Sequence, residues 1–308
     1  MNEGESRATI LVAFAANALI AVAKLLAGLA GGSAAMLAEA AHSIADTLDQ
    51  VVLLASLRLG RRPADDEHQF GHGKERFFWA FVAAVWIFFA GAVFSIAQGV
   101  LALRGGTAIG DPTISFGVLA VAFVAEGVSL RRAARQLHDG ARRSQTTFGR
   151  FIRDVRDPAP RIVLLEDAAA VAGILVAAAG LGATVLTGSE VFDALASIGV
   201  GLILAAAAIG VGAHAKALLL GEAAWPEMRE FLEQQIESHP EVVSVADLRT
   251  MHIGPDDVLV AGRVEFQDDL TVPEVEALTE RIIDDLRRRD PVIGHVFLQP
   301  ATTGAGPP

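Results

Sequence analysis

Six apolar runs fill most of the first 220 residues, at 8–30, 34–59, 77–103, 113–130, 162–187 and 191–220. A helix of about 20 apolar residues crosses ~30 Å of hydrocarbon, and these runs are of that length. Inside a bilayer the backbone has no water to bond, so such runs must close their own hydrogen bonds as helices. The composition agrees: 52% of residues are hydrophobic and the mean hydropathy is +0.44, too apolar for most soluble domains. The first 220 residues therefore read as six transmembrane helices.

The rest of the chain is different. From Trp225 on it is polar and acidic, and it supplies part of the net charge of −11. Residues 226–238 have the period of an amphipathic helix, while Glu241 to Met251 and Asp257 to Phe266 alternate like strands. Gly254-Pro255-Asp256-Asp257 marks the turn between them. Thr271 with Glu274 three residues on is a capping-box signature, predicting a helix to about Arg289. Val292 to Leu298 reads as a last strand. The expectation is a six-helix membrane domain over 1–220, a small α+β (αββαβ) domain over 221–300 on the cytoplasmic side, and a disordered Gly/Pro-rich tail over 301–308.

The second run is not purely apolar. Ala41-His42-Ser43-Ile44-Ala45-Asp46-Thr47-Leu48-Asp49 places His42 and Asp46 four residues apart, on one helix face. Asp49 and Glu39 extend the same stripe at i+7 and i−3 from His42. A charged group at the bilayer centre costs roughly 2.5–3.5 kcal/mol on insertion scales, so such groups face a cavity or a partner and mark an ion path. The fifth run opens with Leu164-Leu165-Glu166-Asp167. Elsewhere, Asn17 and Lys24 in the first run are read as a helix-to-helix hydrogen bond and a snorkelling cation. Glu126 lies near the end of the fourth run. Asp193 has two readings of equal weight, an exposed carboxylate at its helix N-terminus or a member of the polar interior.

Two basic loops set the orientation. The first, 58–76, contains Asp65, His68 and His72, close enough in sequence to chelate a divalent ion. The second, 131–161, carries nine arginines. The turns between the other runs hold only Arg104, so the positive-inside rule puts the basic loops and both termini in the cytoplasm. No signal-peptide cleavage site is evident. The richness in Ala, Gly and Arg points to a bacterial inner membrane.

Several chemistries drop out. The acidic balance opposes nucleic-acid binding. The chain has no Cys, hence no disulfide and no thiolate ligand. Neither HExxH nor a P-loop is present, which leaves metalloprotease chemistry and ATP drive without support. No prosthetic group is implied. What the second and fifth runs can supply together is an imidazole and several carboxylate oxygens around a divalent cation. Those ligands bind metal only when deprotonated, so metal and protons compete for them. With ligands fixed at mid-membrane, that competition is enough for antiport by alternating access.

The order of these motifs closely resembles the cation diffusion facilitator family, zinc-transporter type, over nearly the whole chain. The carriers of the likeness are His42 and Asp46, the stretch Pro63-Ala64-Asp65-Asp66-Glu67-His68-Gln69-Phe70-Gly71-His72-Gly73-Lys74-Glu75, Asp167, and Asp247-Leu248-Arg249-Thr250. Leu165-Glu166-Asp167 and Met251-His252-Ile253-Gly254-Pro255 are most like the ZnT-9-like branch. The resemblance implies a homodimer in the bilayer with a metallochaperone-like cytoplasmic domain. It implies export of Zn, with Mn, Fe or Co as alternatives, in exchange for protons. By position its transport ligands are His42, Asp46, Asp167 and the residue four before it, where this chain has Val163 instead of His or Asp. Glu166 is the substitute ligand, and Asp49 a neighbouring support or proton relay. Asp65, His68 and His72 match the family's loop site. His239, His252 and His295 do not match its soluble-domain metal cluster. With one ligand missing, a membrane metal sensor or scaffold that binds without transport is the competing expectation, and a membrane hydrolase a formal third.

Overall fold

The computed structural model describes residues 3–105, 111–143, 146–149, 151 and 158–301. The expected tail beyond Ala301 lies outside the described residues, as do Arg150, Arg153 and Arg156 of the second basic loop. The chain forms two compact units. One joins Met1–Leu57 to Phe78–Ala215; the other joins Arg58–Phe77 to Lys216–Pro308.

In the first unit, α1 spans Glu3–Gly31 and α2 spans Ala34–Leu59. Gly32 makes the reversal at a φ of 65°, a left-handed conformation that glycine adopts without strain. Helix α3 (Glu75–Val82) passes through a π-helical stretch, Ala83–Phe88, into α4 (Phe89–Gly105). Then follow α5 (Pro112–Arg143), α6 (Pro158–Thr187) and α7 (Val191–Leu220). Helix α5 corrects one expectation: the basic stretch is not loop from residue 131, because the fourth apolar helix continues to Arg143. Arginine is a good helix former, so a basic sequence does not end a helix.

By length and apolarity, four described helical stretches can cross a bilayer: Glu75–Gly105, Pro112–Arg143, Val163–Thr187 and Val191–Leu220. Within α1, Asn17–Gly31 is a shorter apolar helix. In α2 the residues Glu39, His42, Asp46 and Asp49 dilute the apolar run. Large apolar side chains such as Leu19, Trp86, Val121 and Ile209 stay exposed on this unit. A lipid-facing surface presents such residues.

Small residues let the helices approach. Ala27, Met36, Leu119, Ile174, Leu181 and Ala196 form one core between α1, α2, α5, α6 and α7. Ala38, Ala45, Ala92, Val200 and Leu204 form another between α2, α4 and α7. Helix α2 thus contributes to both cores. At Gly201 an added Cβ would stand 2.9 Å from the Ala92 carbonyl oxygen, so α4 and α7 are in backbone contact.

The second unit contains α8 (Pro226–Glu237), β1 (Val242–Gly254), β2 (Asp257–Phe266), α9 (Val272–Arg289) and β3 (Ile293–Pro300). The αββαβ order expected from the sequence is present. Strands β1 and β2 pair antiparallel and β3 adds parallel to β2. Burial alternates strictly along β2, and Val258, Val260, Val264 and Phe266 meet Leu232, Ile236, Leu278, Ile282 and Leu286 from the helices. The capping box at the start of α9 is formed, with the Thr271 amide donating to Glu274 Oε2 at 2.7 Å. That bond holds the Glu274 carboxyl below its ordinary pKa.

Residues 58–77 belong to this second unit. Phe70 stands edge-on to His295 and Phe297 of β3, with ring centres 5.2 and 6.4 Å away. Gly73 lies against the end of β1, where an added Cβ would be 2.6 Å from the Ile253 carbonyl oxygen. Glycine is therefore required for this approach.

Candidate metal-transport site

The polar stripe of α2 is buried. His42 is 1% exposed, and its Nδ1 is 3.6 Å from Asp46 Oδ1 one turn on. Neither ring nitrogen of His42 has a hydrogen-bond partner, and Asp46 Oδ1 and Glu166 Oε1 also lack one. Most buried polar atoms are satisfied, so four such atoms on two helices require an explanation. Their donor set, imidazole and carboxylate oxygen, fits a divalent cation of the Zn, Mn, Fe or Co kind.

Helix α6 divides its two acids. Glu166 turns toward α2, where its carboxyl interacts with Asp49 and Asp46. Asp49 of α2 and Glu166 of α6 are neighbours. Asp167 turns toward α5 and accepts a bond of 2.8 Å from the Ser129 hydroxyl. The acids Asp46 and Asp167 are therefore not drawn onto one point. The 100° between successive helical residues makes this split unavoidable. Val163, half-buried, offers no donor atom.

Three features of this unit correct or decide the sequence reading. Lys24 does not snorkel. It is fully buried, and its Nζ donates to Glu39 Oε2 and Ser43 Oγ, each at 2.8 Å. Removing one partner from a buried ion pair costs roughly 3–5 kcal/mol, because the other charge is left uncompensated. The other oxygen of Glu39, Oε1, has no partner and abuts Gly173 of α6, where a Cβ would overlap it. Lys24 and Glu39 lie almost equally far in sequence from the Gly31-Gly32-Ser33 turn, so they can meet once α1 and α2 turn these faces to each other. Glu126 is also part of the same electrostatic neighbourhood, felt by Asp46. Asp193 is buried, and it caps a helix other than its own. Its carboxylate accepts from the Ser33 hydroxyl and from the Ala34 and Ala35 amides at the start of α2.

In the second unit, Asp65, His68 and His72 do converge. One ligand atom of each lies within 4.8 Å of the others, and no other three-residue group of His and acids does so among the described residues. His72 Nε2 is 2.9 Å from Asp65 Oδ2, and the two imidazoles are 4.3 Å apart. The His72 contact, then the amides of His68 and Glu67 on Asp65 Oδ1, push the exposed Asp65 carboxyl down to about 2. A carboxylate with two imidazoles is a sound ligand set for zinc and its neighbours. His239, by contrast, bridges to Asp285 at 3.2 Å, and His295 stands 3.7 Å from Asp257, so these histidines are dispersed over the domain.

The structure thus combines helices long and apolar enough to cross a membrane, buried partnerless metal-ligating atoms among them, and a small α+β domain after them. Comparison with known proteins makes this specific. Residues 10–220 match the cation efflux transmembrane domain, and residues 226–301 match the cation efflux protein cytoplasmic domain. The chain belongs to the cation efflux family. It is 31% identical over 94% of its length to the proton-coupled zinc antiporter SLC30A9, mitochondrial, of Xenopus laevis, covering 58% of that protein. The human SLC30A9 is 32% identical over 83% of the chain and 45% of the relative. The cation-efflux pump FieF of Salmonella agona is 28% identical over 93% of the chain and 89% of the relative. The chain thus spans about half the length of the SLC30A9 relatives. The similarity to these proteins agrees with the ZnT-9-like branch read from the motifs. One expectation is overturned. The frog and human relatives are named as mitochondrial, an organellar membrane, so the bacterial inner membrane does not stand. Richness in Ala, Gly and Arg carries no information about which bilayer a helix crosses; only the membrane itself follows from hydropathy.

Proposed function

We propose that this chain is a proton-coupled antiporter for divalent metal, zinc first, with Mn, Fe or Co as further cargo. The observation that carries the reading is the set of buried, partnerless atoms on α2 and α6: both nitrogens of His42, Asp46 Oδ1 and Glu166 Oε1. Those atoms accept either a metal ion or protons, and a carrier needs nothing more to exchange one for the other. His42 and Asp46 are the principal ligands, with Glu166 from α6 beside them; Asp167, bonded to Ser129 of α5, would join the set only by leaving that bond. Asp49, beside Glu166, relays protons. The relatives' names, zinc antiporter and cation-efflux pump, support the same reading.

The finer architecture belongs to the same proposal. Helices α1 and α2 add two spans to the four apolar ones, giving six. The soluble domain, over 221–300, pairs with a second copy, so the carrier is a homodimer in the lipid bilayer. Asp65, His68 and His72 hold a second metal ion on the loop.

The test uses purified protein in liposomes with a pH gradient and an internal pH dye. Zn, Mn, Fe(II) and Co are added in turn to wild type and to Asp46→Ala. Proton movement driven by metal and lost in the variant is the expected result. Metal binding with no proton movement for any ion would refute antiport and favour a metal sensor.

A further inference from the structure

Resting on that reading, we propose that Lys24 is a built-in counter-cation that sets how tightly the α2–α6 site holds its metal. The Lys24 ammonium is fixed in place. It is fully buried and held by Glu39 and Ser43. Ser43 directly follows His42, and Glu39 precedes Asp46 by two helical turns on the same face. His42, Asp46 and Glu126 all lie within electrostatic reach of the ammonium.

The surroundings say what such a charge does. Asp46 lies within electrostatic reach of Asp49 and Glu126, and Glu166 within reach of Asp46 and Asp49. A cluster of that charge binds a divalent cation tightly, and a carrier must also release it. Lys24 opposes the incoming metal by like-charge repulsion, while Glu39 holds the lysine there. Glu39 Oε1, buried and partnerless, lies in the notch that Gly173 leaves in α6. The pair therefore spans α1, α2 and α6, the helices that carry the proposed site and its neighbour. Lys24 touches none of the proposed ligands, so it acts as a positioning and affinity-setting residue.

Charge and structural roles make different predictions. The zinc Kd is measured on the full chain in nanodiscs by competition with a chelating dye, for wild type, Lys24→Gln, Glu39→Gln, the double variant and Lys24→Arg. Through-space charge predicts that Lys24→Gln binds zinc about tenfold more tightly and Glu39→Gln about tenfold more weakly. The double variant, with the net charge restored, returns to within about threefold of wild type. Lys24→Arg also stays near wild type, and it keeps the test decisive if Lys24→Gln misfolds. In liposomes, Lys24→Gln lowers the apparent KM for zinc and also lowers the maximal rate, because release slows.

If both single variants weaken binding, or neither shifts it, the counter-cation is refuted while antiport stands. If wild type binds zinc, the Kd pattern holds and no protons move, antiport falls while the counter-cation stands as a feature of a binding site. If wild type binds no metal, both fall.

Discussion

Asp193 Oδ2 accepts the Ala34 amide at 2.6 Å, so the first turn of α2 is capped by a carboxylate from α7, far away in sequence. The same carboxylate takes the Ser33 hydroxyl, and Ser33 in turn accepts the Met36 amide at 3.1 Å. The helix that presents His42 and Asp46 is thereby anchored at its N-terminus by a charge placed where the helix dipole favours it.

Asp193→Ala leaves these buried donors without an acceptor. The expected loss is about 1–3 kcal/mol, from unsatisfied buried donors and the lost dipole interaction. Thermal unfolding in detergent measures it. Asp193→Asn, which keeps one acceptor oxygen, loses less than Asp193→Ala.

Gly173→Ala puts a methyl group where Glu39 Oε1 now sits. The carboxylate must swing, and Lys24 restrains it, so overpacking of about 1–3 kcal/mol is expected. Adding Glu39→Ala creates the missing space and returns part of that cost. A double-mutant cycle on melting temperature shows the coupling, and strict additivity of the two changes would contradict the contact.

Glu166 and Asp167 separate in function if their orientations matter. Glu166→Gln, on the side of Asp46 and Asp49, is expected to weaken zinc binding by tenfold or more, roughly the worth of one lost charged contact. Ser129→Ala only frees Asp167, and it is expected to change zinc affinity by about threefold or less. Titration of each variant with zinc distinguishes the two.

Asp65 gives a pH prediction with a definite sign. Its folded-state carboxyl titrates at about 2, below the ordinary 3.8. The interaction is therefore fully present above pH 3.8 and is lost as pH falls through about 2. Carboxyl-carbon NMR of Asp65 reads this directly. In His72→Ala, the largest cause is gone and the titration moves back up toward 3.8.

The soluble domain was the more legible half of the chain. Alternation at Val258, Val260, Val264 and Phe266, and the Thr271–Glu274 cap, are local signals that tertiary structure had no reason to override. The membrane unit was legible in its apolar runs and in the His42–Asp46 spacing. The roles of Lys24 and Asp193 were not, because each depends on which helix stands opposite. An isolated lysine in an apolar run reads equally as a snorkelling or a paired cation until its neighbour is known. The split of Glu166 from Asp167 follows from helical geometry, but its direction needs the position of α5.

The docking of Phe70 on Phe297 also has a consequence for biosynthesis. The loop between α2 and α3 emerges from the ribosome long before β3, the strand it packs against. Chains grow at about 5–20 residues per second, and domains made first generally fold first. Here that order fails for one segment: Phe70 has no ring partner on β3 until β3 is released. Shortening the chain before β3 would take the edge-on ring contacts away from Phe70, in a loop distant in sequence from the deletion. A truncation intended to isolate the membrane unit would therefore also strip a ring contact from the loop that joins α2 to α3.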